Sequence, residues 1–286
     1  MRFGASEAIV RRDAGEPPRL SCSVLALYFA LCVIVAGCRD QGAPSAPVSG
    51  KAMPERTLRW EGRTMGTTYR VVVWADLTDG VADAFDQKLL EQNVEERLAQ
   101  INQRMSTYQP DSELSRFNRA PSYDWFSVSP ETAHVVEAAI GYHRATSGAL
   151  DVTIGPLTRL WGFDDSTKVI QQRPTQEQVH EVLKRVGSQY LQVRIDEKDQ
   201  AAIQKTVEGL EIDVSCLAKG FAVDQLVALL RQSGGAGGLV EIGGEVKTWG
   251  HRADDRMWRV GIENPMIEGR TLAQIVKLHN AALATS

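Results

Sequence analysis

Hydrophobic and polar positions change period several times along this chain, and each period predicts an element. Thr68 to Trp74, TYRVVVW, is β-branched and aromatic and predicts a strand. Between Val81 and Met105 apolar residues recur at Leu90, Val94, Leu98, Ile101 and Met105, the three-and-four spacing of one helical face. Ser129-Pro130 is a serine cap with proline at the first helical position. It predicts a helix through Val135, Val136, Ala139 and Ile140 that stops at Ser147-Gly148. TQEQ from Thr175 has the form of a capping box and predicts a helix ending at Gly187. Tyr190 to Ile195 and Ala201 to Val207 read as a hairpin pair. A helix from Leu217 to Gln232 carries Phe221, Val223, Leu226, Val227 and Leu230 on or near one stripe. The SGGAGG run after it reads as a turn, and Gly243-Gly244 as a bulge or a close backbone approach. Strands are predicted over 239–242, 245–250, 258–263 and 272–278. Helices and strands alternate irregularly and the chain shows no internal repeat. That order predicts an α+β fold of largely antiparallel sheets with packed helices, not a doubly wound sheet.

The front of the chain follows a different pattern. Val24 to Ala36 is a run of 13 residues without a charge. A membrane span needs about 20, so the run has the length of a signal-peptide core. Arg11, Arg12 and Arg19 precede it and VAGC follows, small residues and then Cys38. That ending resembles a bacterial lipobox. The expectation is a signal over residues 1–37, a lipid on Cys38, and a membrane-anchored protein facing the periplasm. Residues 38–56, rich in Pro, Ser, Gly and Ala, form the expected tether. The folded domain is expected over 57–286, enough chain for one large core.

Composition narrows the function classes. Removal of residues 1–37 leaves 28 basic and 33 acidic residues, a net charge of −5 with no footprint for nucleic acid. Of four cysteines, only Cys216 would remain as a free thiol, so no internal disulfide is expected. The glycine-rich GGAGGLVEIGG is neither GxGxxG nor a P-loop. The five histidines show no paired metal spacing, and no GxSxG elbow occurs. Cys216 near a helix start could carry a lowered pKa, but a small packed residue is the plainer expectation.

Four segments concentrate polar chemistry: TMGTTYRV from Thr64, RMSTYQPDSELSRFN from Arg104, TSGALDVTIGPLTRLWGF from Thr146, and EIDVSCLAKGFAVDQLVALL from Glu211. Each alone is explicable as a turn or a capped helix. Together and in this order, over about Arg63 to Ser286, they closely resemble the FAD:protein FMN transferases of the ApbE family. The resemblance implies an Mg²⁺-dependent enzyme that splits FAD at its pyrophosphate. It joins FMN through a phosphoester to a threonine or serine of a target flavoprotein, such as a redox-pump or FMN-binding-domain subunit. Met65 matches the methionine of the family's MGT, which lies on the flavin. Tyr108 matches an aromatic face beside the ligand. Ala149, Leu150 and Asp151 match the family's GAFD, with Leu150 in place of phenylalanine. Asp213 matches a ligand-bonding aspartate, and Lys219 a residue near the diphosphate. Cys216 falls where the family offers Mg²⁺ a backbone carbonyl, which leaves its thiol incidental.

The resemblance also implies a departure. The chain stops at AALATS, the start of a family segment, and family members carry their histidine and Mg²⁺-binding Asp and Thr beyond it, so the expectation is either a fragment of a longer product or a truncated protein with an incomplete site. The 286 residues by themselves are therefore expected to hold Mg²⁺ poorly. Two other expectations stay open beside the transferase: an FAD pyrophosphatase using water as acceptor, and a non-catalytic FAD-binding lipoprotein.

Overall fold

The computed structural model describes residues 9–12, 55–76, 85–163, 173–264 and 271–285. The apolar run, Cys38 and most of the tether lie outside them.

The largest sheet has six strands, ordered β1-β11-β8-β7-β3-β2, with every neighbouring pair antiparallel. They are β1 (Ile9–Arg12), β2 (Glu55–Thr64), β3 (Thr67–Asp76), β7 (Gly237–Ile242), β8 (Glu245–Trp249) and β11 (Ala281–Ala284). β1 belongs to the segment read as a leader, and it pairs with β11. A second sheet orders β4 (Phe126–Val128), β6 (Ala201–Lys205) and β5 (Leu191–Ile195). A separate ribbon pairs β9 (Trp258–Glu263) with β10 (Leu272–Leu278).

Alternation along β3 sets the layers. Tyr69, Val71, Val73 and Ala75 are buried, while Thr68 and Arg70 on the opposite face are exposed. The buried face packs on α1 (Gln87–Met105) and α6 (Ser215–Gln232), which meet over it through Leu90, Leu98, Leu226 and Leu230. The opposite face carries Val72, Trp74 and Leu239 against a smaller cluster around Trp258, Leu278 and Leu283, covered by the β9–β10 ribbon. The remaining helices are α2 (Glu113–Arg119), α3 (Pro130–Ala145), α4 (Gly155–Leu160) and α5 (Gln176–Leu183). Burying two faces of one antiparallel sheet is the α+β arrangement that the alternation predicts.

The local signals explain where elements begin. The Ser129 side chain accepts from the Thr132 N–H with Pro130 inside the first turn, and Thr175 and Gln178 form a reciprocal capping box. Several boundaries differ from the pattern. Asp86 caps α1, so Phe85 and Asp86 are outside that helix, and residues 81–84 lie outside the described residues. α5 ends at Leu183 rather than Gly187. α6 starts at Ser215, two residues before the expected Leu217.

The glycine run is only partly a turn. Gly237 and Gly238 lie inside β7. A Cβ on Gly238 would run into the Trp249 ring, and one on Gly237 would meet Trp74 Nε1 and the His251 carbonyl. Glycine is used there for close approach of indole rings. TMGTTYRV, explicable in the sequence as a turn, has a more definite form. It is the tip of a hairpin in which Thr64 pairs with Thr67 across Met65 and Gly66, at φ 49° and 74°. Positive φ at both central positions is the tight turn that matches strand twist.

Candidate functional site

Two tight turns and one helix start meet at one end of the large sheet. The first turn is Met65-Gly66, between β2 and β3. The second is Gly243-Gly244 between β7 and β8, with φ 53° and 96° and Ile242 paired to Glu245. β3 and β7 are neighbours, so the turns are adjacent: the Gly243 N–H donates to Thr68 O at 3.1 Å. A Cβ on Gly243 would come within 2.7 Å of the Thr67 methyl. Met65 is half-buried and packs on the main core, and Asn102 near the end of α1 donates to Thr64 Oγ1 at 3.1 Å.

Lys219 reaches this corner from the first turns of α6. Its Nζ donates to Gly243 O at 3.4 Å and stands 3.7 Å from Glu245 Oε1. Both contacts are long, so the ammonium is directed rather than saturated. Thr285 closes the far side, its hydroxyl donating to Gly244 O at 3.2 Å.

The start of α6 has its own chemistry. Val214 occupies its cap position without a side-chain cap bond. Asp213 Oδ1 accepts instead from the Ser215 N–H at 2.8 Å and from the Ser215 hydroxyl. A carboxylate there faces the positive end of an 18-residue helix, whose dipole favours an anion. Cys216 is the second residue of α6 and its side chain reaches the surface. Burial against the underlying protein, and then the Asp213 charge, push its thiol up from the ordinary value. A raised thiol pKa is the opposite of what a nucleophilic cysteine needs.

The Ala149–Asp151 loop joins the same region through the backbone, because the Asp213 N–H donates to Val152 O at 2.7 Å. Ala149 is exposed and Leu150 packs partly on the core. Asp151 turns inward. Its carboxylate accepts from the Thr153 N–H (2.8 Å) and hydroxyl (2.6 Å) and from the Ser188 N–H (3.1 Å) and hydroxyl (2.7 Å). His143 Nδ1 lies 3.2 Å away. Burial raises the Asp151 pKa, but these hydrogen bonds outweigh it and the net direction is down. Asp151 is thus a structural node beneath its loop.

The structure therefore gathers Met65, Asp213, Cys216 and Lys219 around α6 and the two turns, with Leu150 and Asp151 beside them. Tyr108 stands apart, 81% exposed in the loop after α1. Pattern reading overlooked Glu245, Thr285 and the Gly243-Gly244 turn as site components. It also overlooked Asn118 and Lys205. Lys205 continues the alternation of Ala201 and Ile203 onto the buried face of β6, a lysine in an apolar register. An open cleft of about 1300 Å³ lies on the sheet's other face, between Arg59, Arg70 and Arg259, and reaches Gly243, Gly244 and Thr285. None of Met65, Asp213 and Lys219 lines it, so it touches the corner only at its rim.

Among the described residues no group of three or more His, Cys, Asp or Glu side chains could hold a metal ion. Beside the Cys216 carbonyl, the corner offers no carboxylate cluster of the kind Mg²⁺ favours. The described residues do not by themselves fit that ion.

Comparison with known proteins gives a consistent answer. The family model described as "ApbE family" matches residues 65–286. The chain is 36% identical to a FAD:protein FMN transferase of Vibrio cholerae over 241 residues, 84% of this chain and 68% of that protein. It is 32% identical to the FAD:protein FMN transferase of Escherichia coli K12 over 245 residues, 86% of this chain and 68% of that protein. Among solved structures it resembles the flavin transferase ApbE from Vibrio cholerae with a TM-score of 0.70 at 36% identity, covering 82% of this chain and 72% of that one. It also resembles the apo flavinyl transferase ApbE of Pseudomonas stutzeri, with a TM-score of 0.67 at 31% identity, over 79% and 66% of the two chains. The chain spans about two thirds of the length of these curated relatives.

Proposed function

The chain belongs to the ApbE family, and on that premise we propose that it transfers FMN from FAD to a hydroxyl of a target flavoprotein. The observation that carries the proposal is the corner itself. The N-terminus of α6 and the loosely held Lys219 ammonium face the same space, between two tight turns whose backbone can approach a ligand closely.

That arrangement suits a pyrophosphate. The positive end of a helix and a nearby cation stabilise charge that grows on phosphate oxygens during transfer. In the reaction, an acceptor threonine or serine oxygen forms a bond to the FMN phosphorus. The bond from that phosphorus to the bridging oxygen breaks, AMP departs with its electron pair, and the hydroxyl proton passes to solvent. Lys219 supplies counter-charge to the diphosphate. Asp213 fixes the first turn of α6 and offers its second oxygen to the ligand. Met65, held at positive φ on its hairpin tip, presents a thioether against the flavin ring. Tyr108, exposed in the loop after α1, is given an aromatic role only by its match to the family. A divalent ion would supply counter-charge at the pyrophosphate, but the described residues do not hold one and none of these residue roles rests on it.

Calorimetric titration with FAD tests the proposal. The wild-type protein should bind, and Asp213→Ala and Lys219→Ala should each lose roughly 1 to 3 kcal/mol, the worth of a charge-assisted hydrogen bond. Unchanged affinity in Asp213→Ala would remove the helix start from the site. Consumption of FAD with FMN released into solution, and none on the acceptor, would favour the pyrophosphatase.

A further inference from the structure

Five residues between β6 and α6, Leu210 to Val214, belong to no helix or strand. Leu210, Ile212 and Val214 are nonetheless fully buried. Buried backbone without a ladder needs partners from elsewhere. Two side chains supply them. Asn118 acts as a surrogate strand: its Nδ2 donates to Ile212 O and its Oδ1 accepts from the Ile212 N–H, both at 2.9 Å. Lys205, 2% exposed, donates from Nζ to Leu210 O at 3.2 Å and to Asn118 O at 2.7 Å. Its ammonium also lies 5.3 Å from the centre of the Phe117 ring.

The second Lys205 bond matters as much as the first. Asn118 lies in the last turn of α2, where carbonyls have no intrahelical donor. One ammonium therefore holds both the threaded segment and the residue that clamps it. A buried ammonium is costly. Burial pushes the Lys205 pKa down and only the Glu211 carboxylate opposes that. An apolar side chain would fill the same space without the charge, but could not draw two carbonyls from separate elements to one point.

What the clamp controls is the next residue. Asp213 alternates outward from Ile212, bonds Val152 O through its N–H, and leads directly into α6. We propose that Lys205 and Asn118 are positioning residues for the dinucleotide site: they set the path of Leu210–Val214 and thereby aim Asp213 and the start of α6 at the ligand. The proposal rests on the transferase reading above.

The test compares Lys205→Met, Asp213→Ala and their double variant in the full-length protein, by FAD calorimetry and by amide hydrogen exchange. Lys205→Met should keep its far-UV spectrum and weaken FAD binding about tenfold, in the range of one charge-assisted hydrogen bond. Because it acts through Asp213, it should add less than about twofold in the Asp213→Ala background, well short of additivity. Exchange at the Ile212 and Asp213 amides should quicken while the β3 amides stay protected. Unchanged FAD affinity in Lys205→Met, or a fully additive loss with Asp213→Ala, overturns the proposal and leaves Lys205 a purely structural residue. Asp213→Ala with unaltered affinity refutes the dinucleotide site instead. Hydrogen exchange then decides the clamp: unaltered exchange at Ile212 and Asp213 overturns it, and local quickening supports it. If Lys205→Met fails to fold, Asn118→Asp serves, since it keeps the acceptor for the Ile212 N–H and loses the donor to Ile212 O.

Discussion

Asp213 and Cys216 stand three residues apart at the entrance of α6, and their chemistry predicts opposite outcomes. Asp213 is bonded to the Ser215 backbone and hydroxyl and faces the helix start, so its loss should weaken ligand binding. Cys216 has its thiol pushed up by burial and by Asp213, so little thiolate forms at neutral pH. Cys216→Ala keeps the backbone carbonyl and should retain flavin transfer by the full-length protein. A loss beyond about a hundredfold in rate, roughly 2.7 kcal/mol of barrier, with FAD binding intact, would assign chemistry to the sulfur. Asp151 supports a different prediction. Its folded pKa is depressed, so its contribution to stability is present above the unfolded carboxyl pKa, about 4, and disappears as pH falls through the lower folded value. Asp151→Asn should cost about 1.5 to 3 kcal/mol at neutral pH, the worth of hydrogen bonds to a charged group. It should also flatten the loss of melting temperature below about pH 4. Melting curves across pH 2 to 7, as for any titrating carboxyl, check this; identical acid limbs would mean that other carboxylates dominate. Polar residues clustered near Asp213 were visible in the sequence because they are contiguous. Asn118 and Lys205 were not, because their partners lie up to 94 residues away.

At the scale of elements, legibility followed periodicity and capping chemistry. The helices α1, α3 and α5 announced themselves through apolar spacing and, for α3 and α5, through Ser129 and Thr175. Short elements did not: α2, α4 and β4 have three to seven residues, too few to show a period. The tight turn at Met65-Gly66 was missed for another reason. Met65 occupies a positive-φ position where Asn is the usual signal, so the sequence showed a turn there but not a hairpin tip. The glycine run misled because its reason is tertiary: Gly238 is small to admit the Trp249 ring from the adjacent strand. Gly238→Ala should therefore destabilise the fold by about 1 to 3 kcal/mol through overpacking, although alanine is otherwise the better strand residue. Chemical denaturation checks this; a neutral or stabilising effect would show that Trp249 moves aside freely.

For the whole molecule, the layers follow from one sheet with two apolar faces, and α+β was legible from the order of elements. The leader and anchor stand on sequence pattern alone. No helix among the described residues is long and apolar enough to cross a membrane. We propose attachment through lipid on Cys38 and residence at the periplasmic face, from the VAGC motif after the apolar run. Mass spectrometry of the mature N-terminus should find a diacylated cysteine, and an unmodified chain beginning before Val24 would refute it. The central claim, flavin transfer, meets its most direct test in a labelling reaction. The full-length protein is incubated with FAD, Mg²⁺ and an acceptor domain bearing one threonine in a Ser/Thr/Ala-rich motif, and the denatured acceptor is examined for flavin fluorescence. The account predicts a fluorescent acceptor, with labelling lost when that threonine becomes alanine and sharply reduced in Lys219→Ala. FAD bound or cleaved with no flavin on the acceptor would contradict it.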